Sequence, residues 1–210
     1  MLNLKSVKTG VFGIQGSGKT YLVEHNLITS FKKPIVYLMH PEDFKSCKSN
    51  VTVYIPMKKI KGKMMIDKSA EHLDKFLGEV IELIKKENKY DAVIIDEADL
   101  FLPKDTRALQ KYPNINDLVD NHRHYGKEGI GFIYITRRPQ DISTMIVETS
   151  EHLFLFAIEG KNINAYMRAV HQDYEELMPQ LKKQNHNFIH KQLGEKPKIF
   201  SKVSMKQLNP

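Results

Sequence analysis

One cysteine, five arginines and no long apolar run are the scarcities of this 210-residue chain. Cys47 stands alone, which excludes an internal disulfide framework and fits a reducing compartment. Nowhere do about 18 apolar residues follow one another, so no membrane-spanning helix is expected. The opening MLNLKSVKTG lacks the apolar stretch and small-residue cleavage site of a signal peptide. Internal repeats and low-complexity tracts are missing too, which argues against a solenoid and against a disordered chain. What is present is ordinary globular composition, 41% hydrophobic and 27% charged, with enough length for one domain and a core.

The charge is unevenly placed. Thirty-two basic residues oppose 25 acidic ones, a net +7 that favours polyanionic partners. Residues 181–210 hold seven lysines against the single Glu195. Residues 58–68, KKIKGKMMIDK, hold five lysines against Asp67. The remainder is close to neutral. These two segments are the candidate electrostatic footprints.

Short β-branched and aromatic runs alternate with helical patterns. Strands are expected at 6–13, 34–40, 51–56, 91–96, 130–136 and 152–158, several of them continuous apolar runs as in parallel strands covered on both faces. Leu73, Phe76, Leu77, Val80, Ile81 and Ile84 repeat with helical period and predict a helix over 70–86, with Ser69 as N-cap. Further helices are expected at 19–31, 114–125, 161–170 and 173–183. The alternation predicts an α/β fold, a mostly parallel central sheet flanked by helices. Segments 186–192 and 197–203 around LGEK read as a hairpin. The expected division is a core over 1–183 and a basic hairpin or tail over 184–210, packed on the same domain.

Gly13-Ile-Gln15-Gly16-Ser17-Gly18-Lys19-Thr20 fits G-x-x-x-x-G-K-[ST] without a mismatch, after a strand and at the start of a helix. Backbone N–H groups can point at phosphate oxygens only where no side chain blocks the approach, hence the glycines. Lys19 would neutralise the β- and γ-phosphates, Thr20 would ligate Mg²⁺, and the helix start adds its positive end. The expected ligand is ATP with Mg²⁺. Ala92-Val-Ile-Ile-Asp96-Glu97 supplies the second half: Asp96 at a strand tip to hold Mg²⁺ through a water, Glu97 to orient and deprotonate an attacking water. Asp99 reads as a helix-start or surface acid.

This order of motifs, followed by Asn121-His-Arg-His-Tyr-Gly126 and Gly131-Phe-Ile-Tyr-Ile-Thr-Arg-Arg-Pro-Gln-Asp-Ile142, resembles the FtsK/HerA superfamily of DNA-pumping P-loop ATPases, with a RecA/ASCE-like sheet. The resemblance spans about residues 6–158 and is strongest to the small genome-packaging ATPases of tailless icosahedral viruses. It implies a homo-oligomeric ring, pentamer or hexamer, that moves double-stranded DNA without regard to sequence. It also implies a cytoplasmic location, with a capsid-vertex or membrane-protein dock. By the same resemblance Arg123 is an arginine finger acting in trans, although its spacing equally suits a surface Arg on an amphipathic helix. The family's sensor Gln after Thr136 is replaced by Arg137. Thr136 and Gln140 could share that role, or Arg137 could contact phosphate itself.

The lysines of 58–68 and the loop 99–112 are the alternative DNA contacts. Met64 and Met65 are expected in core or loop packing, Tyr112, Tyr125 and Phe101 as buried aromatics, and His122/His124 and His186/His190 are not expected to bind zinc. The basic tail suits DNA, a dock, or simple solvation. Competing readings are a nucleotide-dependent assembly or morphogenesis factor, a conjugation-type DNA pump, and a P-loop kinase, the last disfavoured by Asp96-Glu97.

Overall fold

The computed structural model describes residues 2–45, 47, 50–159 and 174–201. Strand β1 (Lys8–Phe12) leads through the glycine loop into α1 (Lys19–Leu22), which runs on as a π-helical turn (Val23–Leu27) and a 3-10 turn (Ile28–Ser30). Then come β2 (Pro34–Tyr37), β3 (Thr52–Tyr54), the pair β4 (Met57–Ile60) and β5 (Lys63–Ile66), and the long helix α2 (Ala70–Glu87). Next are β6 (Ala92–Ile95), α3 (Thr106–Leu109), α4 (Pro113–Asn121), β7 (Gly131–Thr136), α5 (Thr144–Glu148) and β8 (His152–Leu155). The described chain ends with α6 (Tyr174–Leu177), β9 (Phe188–Gln192) and β10 (Lys198–Phe200). All six strands expected before residue 160 are present. The helix expected over 161–170 lies outside the described residues, as does the end of the strand expected over 197–203.

Eight strands form one sheet in the order β10-β9-β8-β1-β7-β6-β2-β3. From β8 to β3 every pairing is parallel, while β9 and β10 are antiparallel additions. The C-terminal hairpin is therefore a continuation of the central sheet through β8. Its inner strand alternates Phe188 and Ile189 onto opposite faces, and both are buried. Three-residue strands, β3 and β10, stand at the two ends of the sheet.

Alternation along the strands explains the three layers. Val93 and Ile95 of β6, with Phe132 and Tyr134 of β7, meet the apolar face of α2 and α4. Ala92, Ile94, Ile133 and Ile135 point the other way, onto Leu22, Val23, Leu27 and Ile28. Each such buried aliphatic side chain contributes about 1.5–3 kcal/mol of transfer free energy. Helix α2 begins where expected: Ser69 Oγ accepts the His72 N–H at 3.3 Å, and Asn88 ends the helix in the left-handed region at φ 48°. Its Asp74 carboxylate also accepts the N–H groups of Asn114 (2.8 Å) and Ile115 (2.9 Å), serving donors that the first turn of α4 leaves unpaired. That contact ties the start of α4 to α2.

Strand order decides where the chemistry lies. Because β7 sits between β1 and β6, the loop after β1, the acids after β6 and Thr136 at the end of β7 converge at the carboxyl edge of a parallel sheet. Phe101 and Tyr125 are buried, as expected of core aromatics. Met64 and Met65 are not in core packing: they are 59% and 51% exposed, because β4 and β5 pair only with each other.

Candidate functional site

The loop from Gly13 to Thr20 is held by its neighbours on the sheet. Gly13 N–H donates to the Thr136 carbonyl at 3.3 Å and Ile14 N–H to the Ala157 carbonyl at 2.9 Å. Gly13, Gly16 and Gly18 have φ of 156°, 74° and 107°, where side chains are strained. At Gly13 a Cβ would also lie 2.6 Å from Phe156 Cβ and 2.7 Å from Ser17 Oγ. The glycines are therefore required by the backbone path, and Ser17 Oγ is buried without a hydrogen-bond partner inside the loop.

In front of the loop lies a cavity of about 230 Å³. Gln15, Gly16, Lys19 and Thr20 line one wall, Asp96 and Glu97 a second, Thr136 and Arg137 a third, and His40 and Asp43 complete it. Of the residues expected from sequence, Gly13, Ser17 and Gly18 belong to the loop's backbone path without lining the cavity, and Gln140 and Arg123 do not line it either. Gln140 sits in the 3-10 turn Pro139–Asp141 with its Oε1 buried and unpartnered. Arg123 pairs with Glu151, whose other carboxylate oxygen accepts the Lys8 N–H at 2.6 Å. Lys8 opens β1 and Gly13 follows its end, so Arg123 stands about 15 Å of strand away from the cavity. It cannot serve a phosphate bound by its own chain. A larger cavity of about 410 Å³ lies near this amino edge, lined by Lys5, Lys32, Lys33 and Lys127. It has none of the phosphate loop's backbone cradle.

Electrostatics favour a bound anion and cation together. Lys19 is buried and donates to the Ile14 carbonyl at 2.9 Å, and burial, partly offset by Asp96, lowers its pKa from 10.5 to about 8. Asp96 is raised from 3.8 to about 6, first by burial, with Asp43 and Glu97 adding repulsion. A phosphate would stabilise the ammonium and a divalent cation the carboxylate. The donor set fits Mg²⁺: a hydroxyl and a carboxylate lining the same cavity would leave the remaining positions to water and phosphate oxygens. Among the described residues no cluster of three His, Cys, Asp or Glu forms a metal cage.

Several contacts here were not legible as site features. Asp99, expected as a helix-start or surface acid, accepts from Thr136 Oγ1 at 2.7 Å and from Arg137 N–H at 3.4 Å, because a 3-10 turn (Ala98–Leu100) folds it back over β7. Glu97 adopts φ 48° and ψ 44°, which aims its carboxylate at Arg137 Nη2 (3.0 Å) and His40 Nε2 (3.6 Å). His186, 169 residues from Ser17, places Nδ1 3.1 Å from the Ser17 carbonyl behind the loop. His122 is buried in the 3-10 turn after α4, while His124 is exposed. His190 contacts His152 at 3.0 Å between β9 and β8.

A phosphate cradle after the central strand, with two acids at the tip of β6 and a threonine at the tip of β7, defines a P-loop nucleoside-triphosphatase. The family profile described as "ATPase family associated with various cellular activities (AAA)" matches residues 10–159. The chain belongs to this AAA ATPase family. No curated protein sequence matches the chain. Among solved structures it is similar in fold to B204, the DNA-packaging ATPase of Sulfolobus turreted icosahedral virus, with a TM-score of 0.70 at 19% identity, covering 94% of this chain and 98% of that one. The N-terminal domain of zonular occludens toxin from Neisseria meningitidis aligns with a TM-score of 0.53 at 14% identity, covering 97% and 98%. The pCW3 conjugation coupling protein TcpA aligns with a TM-score of 0.55 at 13% identity, covering 93% of this chain and 60% of that one. Among the described residues no helix is long and apolar enough to cross a membrane.

Proposed function

We propose that this AAA ATPase is a DNA-translocating motor of the genome-packaging kind, hydrolysing ATP to drive duplex DNA into a preformed capsid. The observation that carries the reading is the position of Arg123, outside its own cavity and at the far end of β1. An arginine so placed suits a subunit whose nucleotide is completed by the next one, and hence a ring. The likeness in fold to B204, over 94% of this chain and 98% of that one, supports the same reading.

In this reading Gly13 to Thr20 wrap the phosphates, Lys19 neutralises the β- and γ-phosphates, and Thr20 with Asp96 holds Mg²⁺, which when bound supplies charge neutralisation at the transferring phosphoryl group. Glu97 orients and deprotonates water. Thr136, fixed by Asp99, and Arg137 face the terminal phosphate. Gln140 supports the turn behind them. Arg123 of a neighbouring subunit stabilises charge that develops on transfer. Contacts to DNA are with the backbone, so binding tolerates any sequence and weakens steeply with salt. The core over 1–183 does this work, and the basic segment 184–210 serves as a dock.

The test combines ATPase rate, with and without duplex DNA, with oligomeric mass. The rate should rise with DNA and with assembly, and Glu97→Gln should bind nucleotide without hydrolysing it. A rate indifferent both to DNA and to Arg123→Ala would sink the motor.

A further inference from the structure

Between edge strand β3 and helix α2 the chain forms a ribbon that belongs to neither layer. Strands β4 and β5 pair antiparallel only with each other, from Met57↔Ile66 to Ile60↔Lys63. Lys61 and Gly62 form its tip at φ 47° and 82°, a turn whose twist matches that of its strands. A lone two-stranded ribbon is marginally stable in water. Beyond its root, where the half-buried Ile66 packs against the core, this one buries neither face: from Met57 to Met65 every residue is exposed except the half-buried Lys58.

Its chemistry is the same on both faces. Residues directly opposite in an antiparallel pair share a face. One face thus carries Met57, Lys59, Met64 and Ile66, the other Lys58, Ile60, Lys63 and Met65. No acid occurs between Met57 and Ile66. Lys58 is engaged at the root, 3.0 Å from Asp67, whereas Lys59, Lys61 and Lys63 have no ion-pair partner among the described residues. A surface that docks on one protein patch needs one apolar face and one wet face. Cationic and apolar groups on both faces suit a partner that surrounds the ribbon with negative charge.

The root is fixed. Asp67 N–H donates to the Pro56 carbonyl at 2.9 Å, and its carboxylate accepts the Ser69 N–H at 3.0 Å with His72 Nδ1 at 3.4 Å. His72 Nε2 meets Tyr54 Oη at 2.9 Å, Tyr54 stacks on Tyr37 at 5.6 Å, and the Tyr37 carbonyl accepts the Asp96 N–H at 3.0 Å. The ribbon is thereby connected by contiguous contacts to the backbone of the metal-site acid.

We infer that this ribbon is the element that grips duplex DNA, lying in a groove with lysines on both faces reaching the phosphates of both walls. A two-stranded ribbon fits the major groove, about 12 Å wide. The inference rests on the DNA-motor reading and chooses the ribbon over the loop 99–112.

The test is a Lys59→Gln, Lys61→Gln, Lys63→Gln variant of the full chain, compared with wild type. Labelled duplex is titrated across a salt series, and vesicles containing phosphatidylserine serve as a second polyanion. These side chains are exposed and unpaired, so basal ATPase without DNA should be unchanged. Loss of three phosphate contacts should lower the slope of log affinity against log salt by about 2.7, and weaken binding on the order of 10²-fold near 0.1 M salt. Wild-type duplex affinity and slope in the variant would overturn the assignment, as would loss of vesicle binding alone. A wild-type chain that binds no duplex would overturn the motor reading as well, which separates the two failures.

Discussion

Replacing Lys19 by methionine should stabilise the nucleotide-free protein while destroying its nucleotide site. Burial brings the Lys19 ammonium from 10.5 down to about 8, which corresponds to about 3 kcal/mol against the charged form near neutral pH. Methionine keeps much of the stem's packing and carries no charge. It forfeits the hydrogen bond to the Ile14 carbonyl at 2.9 Å, worth about 1 kcal/mol. The net gain expected at neutral pH is about 1–2 kcal/mol, or a rise in Tm of about 2–8 °C for a chain of this size. The sign with pH follows from linkage. The folded pKa lies below the unfolded one, so the unfolded chain binds more protons between about pH 8 and 10.5, and stability rises with pH through that window. Lys8, lowered by burial to about 8 as well, contributes a second and similar rise that the variant retains. Thermal denaturation at several pH values, with and without Mg-ATP, reads all of this. Wild type should gain stability with nucleotide and the variant should not. A variant less stable than wild type at neutral pH, with the same dependence on alkaline pH, would refute the claim that the cradle holds an under-solvated charge.

Two further expectations concern side chains away from the phosphates. Asp99→Ala removes the acceptor that fixes Thr136 Oγ1, so kcat should fall about 10- to 100-fold while nucleotide affinity stays within a few-fold, measured by steady-state kinetics beside direct titration. Asp74→Ala leaves the N–H groups of Asn114 and Ile115 without their acceptor and loosens the α2–α4 contact, for a loss of about 2–3 kcal/mol in urea unfolding. An Asp74→Ala midpoint equal to that of wild type would mean that water replaces the carboxylate.

Elements with a buried face announced themselves. Helix α2 is written in six apolar positions and a serine cap, and β6 and β7 in continuous apolar runs, because each must cover one or two faces of a core. The phosphate loop and Asp96-Glu97 were legible for another reason: their chemistry needs particular residues at fixed spacing within one turn. Asp99, His40 and His186 make their contacts across long sequence separations, and only the fold brings them to Thr136, to Glu97 and to the back of the phosphate loop. The ribbon was hidden because its alternation carries no contrast: lysine and methionine fall on both faces, so no period-2 pattern separates inside from outside. The residues from Val23 to Leu27 were expected as ordinary helix, and nothing in their composition marks the π-helical turn they adopt.

The short strands at the two ends of the sheet limit how copies of this chain can meet. An exposed strand edge is a template on which a second chain can add backbone hydrogen bonds, and long edges invite fibres. Here the width of eight strands tapers to three residues on each side, and Lys198 sits in one of those end strands. Backbone zippering at either end would gain only two or three hydrogen bonds. In a ring of the kind proposed, copies would therefore meet through side chains on the helical faces and loops, where geometry can close a ring instead of extending a sheet without limit.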